Sequence, residues 1–409
     1  GIYSRLQRIA DNHYEMLHHA KKGNNWGIGI APEDITFNQV GYDILWNMVW
    51  ETGKIDIQEY VKRFASYRYG QQLEETTADW QLLATTALNC PGSSWQDGAS
   101  ESVINARPAL DITKASSWST TSLYYDAKAI LPAWTGMLKA AGQLADKTTY
   151  RFDLVDITRQ CLSNYAQDLQ KEVTAAFRAK NKTLFASKSR LFLELILDMD
   201  SLLRTRRECM LGPWIAGARA LGTNEAEKDL FEMNARALVT TWDMKKDGAL
   251  HDYSHREWAG LTKSLYYERW KLFLSDLQGQ LDGKAAQNNN FFTKLEYPWI
   301  SKFGELHNTQ PEGDEIEMSV YLYNKYMPLI QNTTNNTTID LPPNNNRLIL
   351  YPNPATEQCR LQFPVEQILT VTVTDLQGKV HLSSREAGAT ITLHTHTLSN
   401  GVYFLHLHN

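Results

Sequence analysis

The sequence predicts a mainly α-helical protein that opens on a strand–helix remnant of a (β/α)8 barrel and closes on a small β-sandwich. Three patterns carry this expectation. Stretches with apolar residues at helical spacing fill most of residues 51–330. One short apolar run of strand length, residues 26–31, lies between two helical stretches near the N-terminus. After the Asn/Thr-rich segment QNTTNNTTIDLPPNNN, hydrophobicity alternates in short runs broken by turn residues. The expected domains are a barrel remnant at 1–50, an all-α domain at 51–330, a linker at 331–347 and a β-sandwich at 348–409.

In order, residues 2–22 read as a helix with Ile2, Leu6, Ile9 and Leu17 near one stripe, and residues 40–50 read as a second. Helix, strand, loop, helix is one repeat of an α/β barrel or doubly wound sheet. Helical spacing then recurs over 56–69, 76–90, 122–145, 149–180, 184–208, 214–239, 252–280 and 312–327. Turn-forming residues separate some of these near 91–100, 244–249 and 282–290. In the last domain, strands are expected at 348–351, 359–363, 370–374, 380–383, 390–395 and 402–407.

Composition narrows the function. Hydrophobic residues make up 43% and charged residues 21%, as in ordinary globular proteins. The net charge is −5 with no basic block, which argues against nucleic acid as a partner. No apolar run is long enough to span a membrane. The four cysteines show no paired spacing, so neither a zinc site nor a disulfide framework is expected. The 12 Trp and 19 Tyr present flat apolar faces with polar edges, which suit sugar rings and equally suit a helical core. The chain opens on Gly1 directly into helical sequence, without a signal peptide, and reads as the tail of a longer protein.

Chemistry is expected where the first strand ends. Glu33 stands there, after Gly27 and Gly29. The same residues also suit a helix start, with Pro32 at the first position and Glu33 and Asp34 favouring the positive helix end. His251 and His255 have the i, i+4 spacing of a helical zinc pair, with no evident third ligand; ordinary histidines are the simpler reading. His394 with His396 and His406 with His408 are expected to face solvent from their strands. Three N-glycosylation sequons stand by pattern alone, at Asn181, Asn332 and Asn336.

Residues 27–35, GIGIAPEDI, resemble the nucleophile segment of the α-N-acetylglucosaminidases, glycoside hydrolase family 89. The likeness continues in order through NQVGY at 38–42, YRYG at 67–70, ADWQLL at 78–83, Cys90, RPAL at 107–110 and Trp118. It goes on through YRFDLVD at 150–156, GPW at 212–214, NAR at 234–236, LHDY at 250–253, AGL at 259–261 and YERW at 267–270. Together these cover roughly residues 1–327. The resemblance implies an exo-acting, retaining hydrolysis of terminal α-linked N-acetylglucosamine by two carboxylates. It places Glu33 on the nucleophile and Trp242, Leu250 and Tyr253 on sugar-pocket positions, with Trp118 as a further binding candidate. Core packing is the competing reading for each. The acid/base residue and most of the barrel would precede Gly1, so the isolated chain is expected to be inactive. No metal or organic cofactor is implied.

Residues 350–354, LYPNP, with VTVTD at 371–375, GKV at 378–380 and LSNGVY at 398–403, resemble the C-terminal sorting domain of type IX secretion in Bacteroidetes-type bacteria. The implied partners are a glycan with terminal α-N-acetylglucosamine, the missing N-terminal barrel portion and the secretion machinery. The implied location is secreted or at the cell surface. The competing functional class is a non-catalytic glycan-binding or cell-surface module.

Overall fold

The computed structural model describes residues 2–31, 39–91, 100–117, 120–243, 250–306, 308–331, 349–351, 355, 357–375, 379–399, 401 and 403–408. Glu33, Trp118 and the linker at 332–347 lie outside the described residues. The chain divides into two units, Gly1–Ile339 and Asp340–Asn409.

In the first unit the helices are α1 (Leu6–His18), α2 (Gln39–Asn47), α3 (Ile57–Tyr69), α4 (Glu74–Thr85), α5 (Leu131–Lys139), α6 (Ala141–Leu144), α7 (Thr148–Arg178), α8 (Lys182–Arg204), α9 (Leu211–Ala220), α10 (Glu225–Leu238), α11 (Tyr267–Leu281), α12 (Tyr297–Ile300) and α13 (Glu315–Gln331). Wide π-helical turns at Thr262–Tyr266 and Phe292–Glu296 lead into α11 and α12.

Helix α7 is the axis. It is buried on several faces, from Leu154 and Ile157 to Cys161, Tyr165 and Leu169, and so it sits inside the unit rather than on its surface. Helices α3, α5, α8 and α13 pack around it. Arg68 reaches Asp153 of α7 through two hydrogen bonds of 2.6 and 2.7 Å, and the Tyr69 hydroxyl donates to the same carboxylate at 2.8 Å. Asp56, Asn181 and Asn224 accept backbone N–H bonds at the starts of α3, α8 and α10. Gly70, at φ +73°, ends α3 in the left-handed region that glycine adopts without steric cost.

The expected helix 149–180 is α7 almost to the residue. Others differ for local reasons. The 122–145 stretch becomes helical only at Leu131, where Pro132 occupies the first turn. The 214–239 stretch is cut at Gly222–Asn224, where Asn224 caps a new helix. The 252–280 stretch is non-helical until Leu261, because Asp252 and Gly260 both have positive φ. The strand expected at 26–31 is absent: these residues have no regular structure, and Trp26 is 95% exposed. A strand needs a partner for its backbone groups, and no described neighbour offers one. Residues 2–22 do form α1, which docks on the unit by backbone bonds from Leu6 N to Leu88 O and from Cys90 N to Ser4 O.

The second unit was expected as a sandwich of six short strands. Among the described residues it is one antiparallel sheet of four: β1 (Ile349–Tyr351), β2 (Gln358–Asp375), β3 (Val380–His394) and β4 (Tyr403–His408). Paired runs merge because β2 and β3 stay in register from Gln358↔His394 to Thr374↔Val380, interrupted by irregularities between 362 and 367 and again at 373–374. β1 pairs the first half of β2 and β4 the second half. The sheet curls, so Leu361, Val371, Val373, Ile391 and Leu393 share one core. His394, His396, His406 and His408 are exposed.

Asp79 is a buried acid of the helical unit with no ion pair among the described residues. Asp79 of α4 lies against Gly136 of α5, where an added Cβ would come within 2.1 Å of its carboxylate, and its Oδ2 has no hydrogen-bond partner. Burial, helped by the nearby Glu75 charge, pushes its carboxyl up to about 8. It is therefore protonated in the fold at neutral pH and ionised in the unfolded chain. Its contribution to stability is complete below about pH 4 and is lost as pH rises toward 8. Thermal unfolding of wild type and Asp79→Asn checks this: wild type should lose ground to the variant between pH 4 and pH 8.

Candidate active site

The segment after α10 builds the site. The chain leaves the helix through bonds from Thr240 N and Trp242 N to Ala237 O, and Trp242 takes the left-handed conformation at φ +58°. After residues 244–249 it returns, and Asp252 N donates to Thr240 O. Asp252 is also left-handed, at φ +55°. Non-glycine residues in this region carry strain, which persists only where the surroundings enforce it. Trp242 and Tyr253 meet edge to face, with ring centroids 4.9 Å apart and planes at 67°. Trp242 is 36% exposed and Leu250 is 37% exposed. Three of the expected pocket residues thus gather on one corner, partly open to solvent. An indole and a phenol arranged in this way offer an apolar face and a hydroxyl to a sugar ring.

Beneath the corner lies a network of four charges that sequence reasoning did not identify as such. Asp252, fully buried, accepts from Arg269 at 2.8 Å and faces Arg107 Nε at 3.5 Å. Glu296, also fully buried, accepts from Arg107 at 2.6 and 3.1 Å and pairs Arg269 at 2.7 Å. Two carboxylates and two guanidiniums balance, which is the condition under which buried charge is tolerated. Burial alone would push the Asp252 carboxyl up; Arg269, the His251 ring and Arg107 together outweigh it and hold the group down at about 2. The signal for three members was present in the motifs RPAL, LHDY and YERW. Glu296 lay between the turn expected near 282–290 and the helix expected at 312–327, in a stretch to which no element was assigned.

The four groups come from separate segments: Arg107 from the α4–α5 connection, Asp252 from the corner, Arg269 from α11 and Glu296 from the turn before α12. Further bonds fasten the corner. Ser117 Oγ donates to His251 O at 3.0 Å, and His255 Nδ1 lies 2.9 Å from Asp252 O. Glu257 joins Arg159 of α7 at 2.6 Å. Asp200 of α8 accepts from Gly260 N and Lys263 N. His251 lies on a turn and His255 in irregular chain rather than on a helix, so the side-by-side helical zinc geometry is not formed.

Comparison with known proteins follows the same residues. Residues 60–325 match the model of the α-N-acetylglucosaminidase (NAGLU) C-terminal domain. This chain belongs to the α-N-acetylglucosaminidase family. It is 31% identical over 309 residues to human α-N-acetylglucosaminidase, covering 74% of this chain and 40% of the human one. Family 89 glycoside hydrolase structures from Clostridium perfringens are 34% identical. The complex with PUGNAc aligns at a TM-score of 0.74, covering 78% of this chain and 37% of that one. The complex with the substrate GlcNAc-α-1,4-galactose aligns at 0.76, covering 81% and 38%. The chain therefore spans about 40% or less of the relatives it matches. Residues 349–409 match the model of the secretion system C-terminal sorting domain.

The quartet predicts both a cost and a pH window. Asp252→Asn leaves two guanidiniums facing one carboxylate and should destabilise the chain by about 3–5 kcal/mol at pH 7. Because the folded carboxyl sits below its unfolded value of 3.8, its contribution is complete above about pH 4 and fades as pH falls toward 2. Urea unfolding of both proteins should show the gap narrowing across that window.

Proposed function

We propose that this chain is the C-terminal part of a retaining exo-α-N-acetylglucosaminidase, and that its exposed aromatic corner forms one wall of the sugar pocket. The observation that supports this most is the Trp242–Tyr253 pair, held in strained backbone over a charge-balanced floor. Such strain and such a floor are more than core packing requires, and they suit a preorganised binding surface. In this reading Trp242 stacks on the pyranose, Tyr253 bonds a hydroxyl and Leu250 closes the apolar edge. Trp118 is a fourth contact.

Glu33 is the nucleophile of the proposal. It attacks the anomeric carbon to give a glycosyl-enzyme, while a second carboxylic acid, supplied by sequence outside this chain, protonates the leaving oxygen and later activates water. Residues 1–50 are then the last part of a (β/α)8 barrel. The exposure of Trp26, Trp46 and Trp50 fits a surface that the rest of the barrel would cover. Residues 348–409 direct export by type IX secretion, which places the enzyme outside the cell or on its surface.

The decisive assay is hydrolysis of 4-nitrophenyl α-N-acetylglucosaminide by the longest native gene product. Wild type should turn over, Glu33→Gln should lose about three orders of magnitude or more in kcat, and the 409-residue chain alone should be inactive. A fully active Glu33→Gln would reduce Glu33 to a helix-start acid. Sugar binding without turnover in wild type would favour a non-catalytic module. Deleting residues 349–409 should leave the product in the periplasm, read by fractionation of the producing cells.

A further inference from the structure

We infer that His251 is a further substrate-binding residue of this corner, offering its Nε2 as a hydrogen-bond acceptor to a hydroxyl or amide N–H of the bound sugar. The inference rests on the glycosidase reading above and adds a polar contact that the family resemblance did not assign.

The geometry begins with Asp252. Its side chain turns inward to Arg269 and is wholly buried, while its neighbours on either side remain partly accessible. On one side Tyr253 meets Trp242. On the other, His251 keeps about a third of its side chain exposed, next to the exposed Leu250. Ser117 holds the His251 carbonyl, so the backbone that carries the ring is fixed. His251 therefore lies within two residues of two proposed sugar contacts, Leu250 and Tyr253, on the same turn.

The chemistry of the ring is also fixed. His251 Nδ1 lies 3.2 Å from Asp252 Oδ2. That carboxylate is held between guanidiniums and stays ionised, so it can only accept, and Nδ1 must carry the proton. In the neutral ring Nε2 is then left with its lone pair. No described residue bonds Nε2. A carboxylate that fixes a histidine's tautomer and ring orientation leaves the other nitrogen as the binding atom, as it does in metal-ligating histidines. Sugars and their acetamido groups supply many O–H and N–H donors, and these are what an acceptor at this place can read.

The test uses the native gene product and three proteins: wild type, His251→Ala and His251→Gln. Gln keeps a polar terminus near the position of Nε2. On 4-nitrophenyl α-N-acetylglucosaminide, His251→Ala should raise KM about ten-fold, the usual scale for one lost hydrogen bond, with kcat within about two-fold. His251→Gln should recover part of that loss. The bond from the ring to Asp252 is lost in His251→Ala, so its melting temperature should fall, and KM is read well below that temperature on folded protein. An active wild type with unchanged KM in His251→Ala overturns this inference and leaves the glycosidase reading standing. A fall in kcat that accompanies the raised KM and is equal in both variants also overturns it, since the ring would then act only by holding Asp252 in place. A wild type that neither turns over the glycoside nor binds N-acetylglucosamine overturns both.

Discussion

Charge balance beneath a strained corner is the constraint on which the rest of the site depends. Asp252 and Glu296 can be fully buried only because Arg107 and Arg269 stand between them, and each arginine touches both acids. Removing any one of the four leaves the others with an odd charge, and three of them, Asp252, Arg269 and Glu296, are fully buried. The backbone above inherits this rigidity. Asp252 must keep its carboxylate in the ring of charges, and this holds φ in the left-handed region. The turn then has one way to present His251 and Tyr253.

Strain at Trp242 has a different origin. Its conformation comes from the way α10 ends, with Trp242 N reaching back to Ala237 O at 2.7 Å. A glycine would make this turn more easily. An indole in that place gives up some stability and gains an aromatic surface beside Tyr253. Two left-handed residues, one made by a helix end and one by a buried acid, are linked through the Thr240–Asp252 backbone bond. The corner is therefore a single unit rather than two separate turns.

Much of this was legible in the sequence. Helix α7 could be read almost to its ends because its apolar residues and favourable helix formers run without a break. Trp242, Leu250 and Tyr253 became pocket candidates only through ordered motif likeness; composition alone left Trp242 and Tyr253 as core candidates. What stayed hidden was hidden for physical reasons. The non-helical start of 252–280 depends on a buried ion network, which has no periodicity. Glu296 sits in a wide π-helical turn after a run of asparagines, where spacing rules are weakest. The curl of the sheet depends on where a long ladder loses register, and short alternating runs look alike whether they are separate strands or halves of one. The apolar run at 26–31 has strand character and no described partner, so local preference was overruled by the lack of anything to pair with.

The span of the charge ring along the chain also governs when the site can exist. Arg107 and Glu296 are 189 residues apart, and α7, α8 and α11 lie between them. Closing so long a loop is slow, and it is rewarded only when the intervening helices are already packed. During synthesis both arginines and Asp252 are made before Glu296, so the nascent corner carries an excess positive charge until the turn before α12 arrives. The corner should therefore be among the last parts of the unit to set. A molecule in which it has set has, by the same event, joined the early and late parts of its helical core.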